Sequence, residues 1–190
     1  MAMPGLEFAL LSHGNQLMTH SFQLDSRLDG FVTITEVADA SRLAAAVLRR
    51  KYNMDVPPHG HHVIAFVAGE TGCWWPAFYV NYLPHRNAML IGGAATDGEV
   101  LRRLGAHQQA ALAESDGLML QTVRYSEARF ADESVGTFGY CGDERSWSIL
   151  QRCGYRRIGD HAHLIVRWNR QLPEVDREEL IDSVRELGPF

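Results

Sequence analysis

Residues 143–155, running directly into residues 156–168, constrain the fold more than any other stretch of the chain. Asp143 is suited to an N-cap, because its carboxylate can accept from first-turn N–H groups that have no partner within the helix. Trp147 and Leu150 lie three apart and Ile149 and Cys153 four apart, which gives the helix one apolar side. Gly154 supplies the left-handed residue at which such a helix ends and which a side chain resists. Residues 155–158 and 161–168 then flank Gly159 and Asp160, read as a two-residue turn. The stretch is a short helix, a glycine stop and a tight strand pair.

The rest of the chain alternates in the same way. Residues 31–37 carry alternating β-branched side chains and read as a strand. Asp39 or Ser41 can cap a helix over 42–52, where Leu43, Ala46, Val47 and Arg50 recur at helical spacing. Residues 62–69, 74–82 and 88–92 form a meander with turns at 70–72 and 84–87, and Pro76 marks an edge or a bulge. A helix is expected over 98–114, stopped by Ser115, Asp116 and Gly117, then a strand over 118–125. Residues 130–141 are ambiguous, with a strand possible around 135–140. Residues 1–30 are the least legible, with a short element at 8–11 and a turn at 13–15. The charged segment 172–190 has a partial apolar stripe of Val175, Leu180, Ile181 and Val184, and reads as a helix docked on the domain or on a partner subunit.

Length and composition narrow the class. A chain of 190 residues suits one domain with a single sizeable core. With 46% hydrophobic and 22% charged residues it is an ordinary globular sequence. The formal net charge of -5 offers no basic field for nucleic acid. Cys73, Cys141 and Cys153 are odd in number and widely spaced, which argues against a disulfide framework and for a reducing compartment. No basic leader precedes an apolar run, and no run approaches the roughly 20 apolar residues of a membrane span. A cytoplasmic protein with no membrane partner is expected.

The order at residues 143–168 resembles the end of GNAT-type N-acetyltransferases. There, a helix begins at Asn, carries a small residue three positions later and ends in Gly–Phe or Gly–Tyr before the last strands. Here Asp143 replaces Asn, Ser146 is the small residue, and Gly154 with Tyr155 forms the exit. The element order over 31–168 matches as well. The resemblance implies an α+β (α/β three-layer) fold with a central mixed sheet flanked by helices. It divides the chain into an N-terminal extension (1–30), a GNAT-like domain (31–168) and a C-terminal helical tail (169–190). It also implies an acetyl-CoA or other acyl-CoA cofactor, and transfer of an acetyl group to a small-molecule or peptide amine. A homodimer is a reasonable assembly.

The resemblance directs attention to Gly92, Gly93, Ala94, Ala95, Thr96, Asp97 and Gly98, where a strand feeds a helix. Small residues let backbone N–H groups approach an anion, and a helix N-terminus adds partial positive charge. In the family the coenzyme A pyrophosphate binds there. With Gly93 and Ala95 on the family's two small positions, Leu90 stands where Arg or Gln belongs. Thr96 and Glu99 can form a capping box, so the segment is either a degenerate coenzyme A loop or a structural turn of small residues. Gly92, Gly93, Ala94, Ala95, Thr96 and Gly98 are the candidate cofactor residues, with Asp143 and Ser146, which match positions facing the pantetheine arm.

Acyl transfer needs a neutral amine, a polarised carbonyl and a departing thiolate. A thiol of pKa about 8.5 leaves with modest help, so holding the reactants together matters most. Leu150 occupies the position of the Tyr that family members use as acid. Tyr140 and Glu70 are therefore the candidate catalytic residues, set against packing for Tyr140 and a solvated surface role for Glu70; Glu36 is a further possible base. His59, His61 and His62 lack a Cys or carboxylate at ligand spacing, so no metal is assigned. His161 and His163 can line a cleft or simply occupy an exposed strand face. Of Trp74 and Trp75, only one can enter a given core. The second reading of the chain is a GNAT-fold binding or interaction module without transferase activity.

Overall fold

The computed structural model describes residues 21–190. The element read at 8–11 and the turn at 13–15 lie outside the described residues. A 3-10 turn at Ser26–Leu28, capped by Asp25, leads into the sheet. The strands are β1 (Val32–Val37), β2 (His61–Ala68), β3 (Trp74–His85), β4 (Ala88–Thr96), β5 (Gly136–Tyr140), β6 (Arg156–Arg157) and β7 (Leu164–Trp168). The helices are α1 (Ala45–Tyr52), α2 (Gly98–Arg102), α3 (Ala106–Glu114), α4 (Gly117–Arg129), α5 (Glu144–Arg152) and α6 (Glu174–Leu187). The strands form one mixed sheet in the order β1-β2-β3-β4-β5-β7-β6. Every neighbouring pair is antiparallel except β4 with β5.

Side-chain alternation makes three layers from this sheet. Val63, Ala65, Val80 and Met89 face one side and pack with Val100, Leu112 and Leu118 from α2, α3 and α4, and with Leu104 between α2 and α3. Leu150 of α5 packs on the same side with Val123 and Ile165. Ile64, Tyr79 and Ala95 face the opposite side under Val47 and Leu48 of α1. Leu90, Phe138, Leu164 and Val166 also face that side, under Leu180 and Val184 of α6. The fold is the α+β sandwich of helices around a mixed sheet that the sequence implied.

The 143–168 stretch forms as read, with one change. Asp143 caps α5 by accepting from the Ser146 N–H at 2.9 Å, and Gly154 ends it with φ +90°. The turn is longer than Gly159 and Asp160. Ile158 N–H donates to the Leu164 carbonyl, so residues 159–163 form the loop, where the His161 ring nitrogen accepts the Leu164 N–H at 2.9 Å.

The larger correction concerns residues 118–125, which are helix and not strand. They belong to α4, and the ambiguous segment 130–141 supplies β5 instead. Leu118, Leu120, Gln121, Thr122 and Val123 are all buried, so no polar face reveals the helical period. The helix expected over 98–114 is two helices, with Gly105 in an extended conformation as the N-cap of α3. Residues 92–96 are strand, not loop. The capping box of Thr96 and Glu99 is replaced by Asp97, whose carboxylate accepts from Glu99 N–H at 3.0 Å and Val100 N–H at 3.2 Å. Neither Asp39 nor Ser41 caps α1; Asp39 instead accepts from Ser41 N–H at 2.7 Å, and Ala44 holds the cap position. Pro76 lies beside an irregularity in the β2–β3 register, on an internal strand.

Candidate functional site: a wedge between two parallel strands

Strands β4 and β5 pair over only three positions: Met89 with Thr137, Leu90 with Phe138 and Ile91 with Gly139. Beyond them β4 continues beside β3 to Thr96, whereas β5 ends at Tyr140 and the chain turns into α5. From Gly93 onward, the β4 edge away from β3 has no strand neighbour among the described residues. The register of β3 on β4 shifts at the same place, from Tyr82 opposite Ile91 to Asn81 opposite Gly93. A bulge of this kind changes which way side chains point. Ile91 and Ala94 consequently both pack toward the α4 side, although regular alternation would set them on opposite faces. Gly93 has φ +151°, and a side chain there would project into open space.

The opening leads into two adjoining cavities. The outer one, of about 590 Å3, is bordered by Lys51, Thr96, Asp116, Gly117, Arg145 and Ile149. The inner one, of about 180 Å3, reaches Val80, Ile91, Val123, Gly139, Leu150 and Ile165. Both are lined by Tyr52, Phe78, Ala94, Met119, Asp143 and Ser146. Tyr52 stands over the wedge, its hydroxyl donating to the Ala94 carbonyl at 2.6 Å. Burial, and the Asp143 charge after it, push the Tyr52 phenol up, so it remains a neutral donor.

Of the residues chosen from sequence, Gly93, Ala94, Ala95, Thr96, Asp143, Ser146 and Tyr140 border one or both cavities. Gly92 does not; a side chain on it would point at Leu83 and the Asn81 amide oxygen. Gly98 opens α2 and is outside both linings. Glu70 is also elsewhere. It follows β2, and its carboxylate reaches the N-cap glycine of α3, Gly105. A carboxylate there favours the helix N-terminus and is remote from transfer chemistry. Asp97 is turned inward against the Arg50 guanidinium, only 4% exposed. Its charge is matched and faces away from the wedge.

The Asp143 carboxylate is held below its ordinary range, first by its hydrogen bond to Ser146, so it stays ionised as a helix cap. Tyr140 lies one residue past the last parallel pair, with the Phe190 ring 5.0 Å and the His161 ring 5.5 Å from its own. The Cys141 thiol, also on the inner wall, is raised by burial and stays protonated. Leu150 reaches the inner cavity from α5, but its alkyl side chain has no proton to give. His61 is beside Glu36 at 2.7 Å and His62 beside the Tyr79 hydroxyl at 2.9 Å.

The site also has residues that the sequence reading passed over. The N-terminus of α4, at Gly117, Leu118 and Met119, opens onto the outer cavity. Asp97 and Asp143 cap α2 and α5, whereas the side chain at the α4 N-cap, Asp116, makes no cap hydrogen bond and pairs with Arg152 instead. Uncapped first-turn N–H groups are donors for an anion. Lys51 and Arg145 stand at the same mouth. The available signal was the length of residues 118–129, too long without Gly or Pro for an ordinary strand.

The order and packing of strands and helices match those of a known fold. The structure of the ribosomal-protein-S18-alanine N-acetyltransferase from Escherichia coli superposes with a TM-score of 0.51 at 7% identity, over 75% of this chain and 97% of that one. A structure of AtaTR bound with AcCoA covers 80% of this chain and 98% of its own, with a TM-score of 0.42 at 16% identity. No family model and no curated protein matches the sequence. The chain thus has the fold of GNAT-type N-acetyltransferases.

Proposed function

We propose that this chain is an acyl-CoA-dependent N-acyltransferase acting on an amine. The observation that carries the reading is the early end of β4–β5 pairing at Ile91 and Gly139, with small residues on one side of the gap and the capped start of α5 on the other. The residues fit such a donor. Gly93 and Ala94 put no bulky side chain of their own on the β4 edge, and the first turn of α4 with Lys51 and Arg145 suits a pyrophosphate at the mouth. This moves the phosphate-binding role from residues 92–98 to the start of α4.

Acyl-CoA supplies an activated carbonyl on a thiol leaving group. In the transfer one C–N bond forms and one C–S bond breaks, and the proton lost by the amine ends on the coenzyme A thiol. The protein's contribution is mainly to hold the two reactants in contact. Unpaired β4 backbone N–H groups beyond Ile91 are suited to polarise the carbonyl. Tyr140 is assigned proton donation to the departing sulfur. A thiolate leaves readily, so Tyr140→Phe lowers kcat by about 10- to 100-fold and leaves donor binding intact.

The test is thermal melting with acetyl-CoA and with CoA. A ligand that binds only the folded state, present at about 100 times its Kd, adds about 2.7 kcal/mol and raises the midpoint by roughly 5–10 °C for a chain of this size. Ser146→Trp, which fills the space shared by both cavities, removes the shift. No stabilisation by any acyl-CoA refutes the reading. Stabilisation without turnover on any amine leaves the binding-module alternative.

A further inference from the structure

The two cavities share Tyr52, Asp143 and Ser146 and differ in the rest of their walls. The outer one has charged residues at its rim, Lys51, Asp116 and Arg145. The inner one lies between the sheet and the helices, with Val80, Ile91, Val123, Leu150 and Ile165 in its wall. These come from β3, β4, α4, α5 and β7, and four of the five are at most 5% exposed. Among the described residues the only side-chain carboxylate in that wall is Asp143, which caps α5. An ammonium group has Asp143 as its one matching charge there; against Val80, Ile91, Val123, Leu150 and Ile165 it would lose its hydration, whereas an alkyl chain loses nothing by entering.

From this we infer that the donor carries an acyl chain longer than acetyl, about four to six carbons, whose tail occupies the inner cavity. The inference rests on the acyl-CoA reading above and specifies its donor. The cavity of about 180 Å3 is several times the volume a single methyl needs. At roughly 30 Å3 per water-sized group it takes about six such groups. Because it adjoins the outer cavity through Ala94 and Ser146, a chain can enter from a thioester placed at the parting of the strands. The bond exchange is the one described above, and the longer chain changes only what is carried.

Calorimetric titration of the full chain with CoA, acetyl-CoA, butyryl-CoA, hexanoyl-CoA and dodecanoyl-CoA tests this without requiring an acceptor. Each buried methylene tightens binding about fourfold. Butyryl-CoA is therefore expected to bind about tenfold or more tighter than acetyl-CoA, with the gain ending near hexanoyl and lost at dodecanoyl. Val123→Phe, which fills the inner cavity from α4, removes the chain-length preference and keeps CoA affinity. Ile91→Phe does the same from β4 should the first variant fail to fold. Binding of CoA with equal affinity for acetyl-CoA and butyryl-CoA overturns this inference alone. Failure of CoA and every acyl-CoA to bind overturns it together with the transferase reading.

Discussion

Replacing Arg167 by Leu should expose how the domain tolerates a buried carboxylate. Glu127 is 6% exposed on α4; its carboxylate accepts from Arg167 at 2.5 Å and from the Tyr155 hydroxyl. Burial raises the Glu127 pKa, and the Arg167 charge is the largest influence pulling it back down. A group whose folded pKa is raised contributes stability below its unfolded pKa, near 4.3, and that contribution is lost as pH rises through the folded pKa. Arg167→Leu raises the folded pKa further, so the variant goes on losing stability over a pH range where the native chain has already levelled off. The difference between the two is small at pH 5 and largest at pH 8. Breaking a buried pair by removing one partner costs about 3–5 kcal/mol, a large part of the 5–15 kcal/mol typical of a domain. At about 2–4 °C per kcal/mol, the midpoint at pH 8 falls by roughly 6–20 °C. Urea denaturation followed by circular dichroism at both pH values measures the effect. A loss under about 1 kcal/mol at pH 8, or one independent of pH, would refute this account of Glu127. Combining it with Glu127→Gln should recover much of the loss, because no charge is then left buried.

Three other outcomes follow from the structure. Asp143→Ala removes the α5 cap and costs about 1 kcal/mol in urea denaturation at pH 7. Because the folded pKa of Asp143 is depressed, that cost shrinks as pH falls through it, and a pH-independent loss would contradict the capping role. Asp97→Ala removes the α2 cap and the buried partner of Arg50, so a loss of about 2 kcal/mol is expected with no change in CoA affinity; weakened CoA binding would contradict its inward placement. Glu70→Gln leaves turnover unchanged in a transfer assay, and a fall of tenfold or more would return Glu70 to the chemistry.

Legibility from sequence followed how local each determinant is. The α5 cap at Asp143 and the stop at Gly154 depend on residues within one turn, and both are present as read. Helix α4 was misread because burial on several sides removed the polar face that identifies a helical period. The bulge at Gly92 and Gly93 is a register event between β3 and β4, and neither strand alone encodes it. Candidate site residues divide in the same way. Gly93, Ala94, Asp143 and Ser146 could be found from local motifs, because they flank the gap along the chain. Tyr52, Met119, Lys51 and Arg145 reach the cavities from α1, α4 and α5, and only the packing of those helices brings them together. Glu70 was chosen for its place at a strand end, but it lies at the end of β2, one strand removed from β4 and outside the wedge.

A crystal structure of the chain with CoA bound tests the central claim most directly. The expected complex has the thiol between Ala94 and Ser146, the pyrophosphate against the first turn of α4, and β4 and β5 still apart beyond Ile91 and Gly139. An ordered CoA lying elsewhere on the molecule, or β4 and β5 joined along their full length, would contradict it.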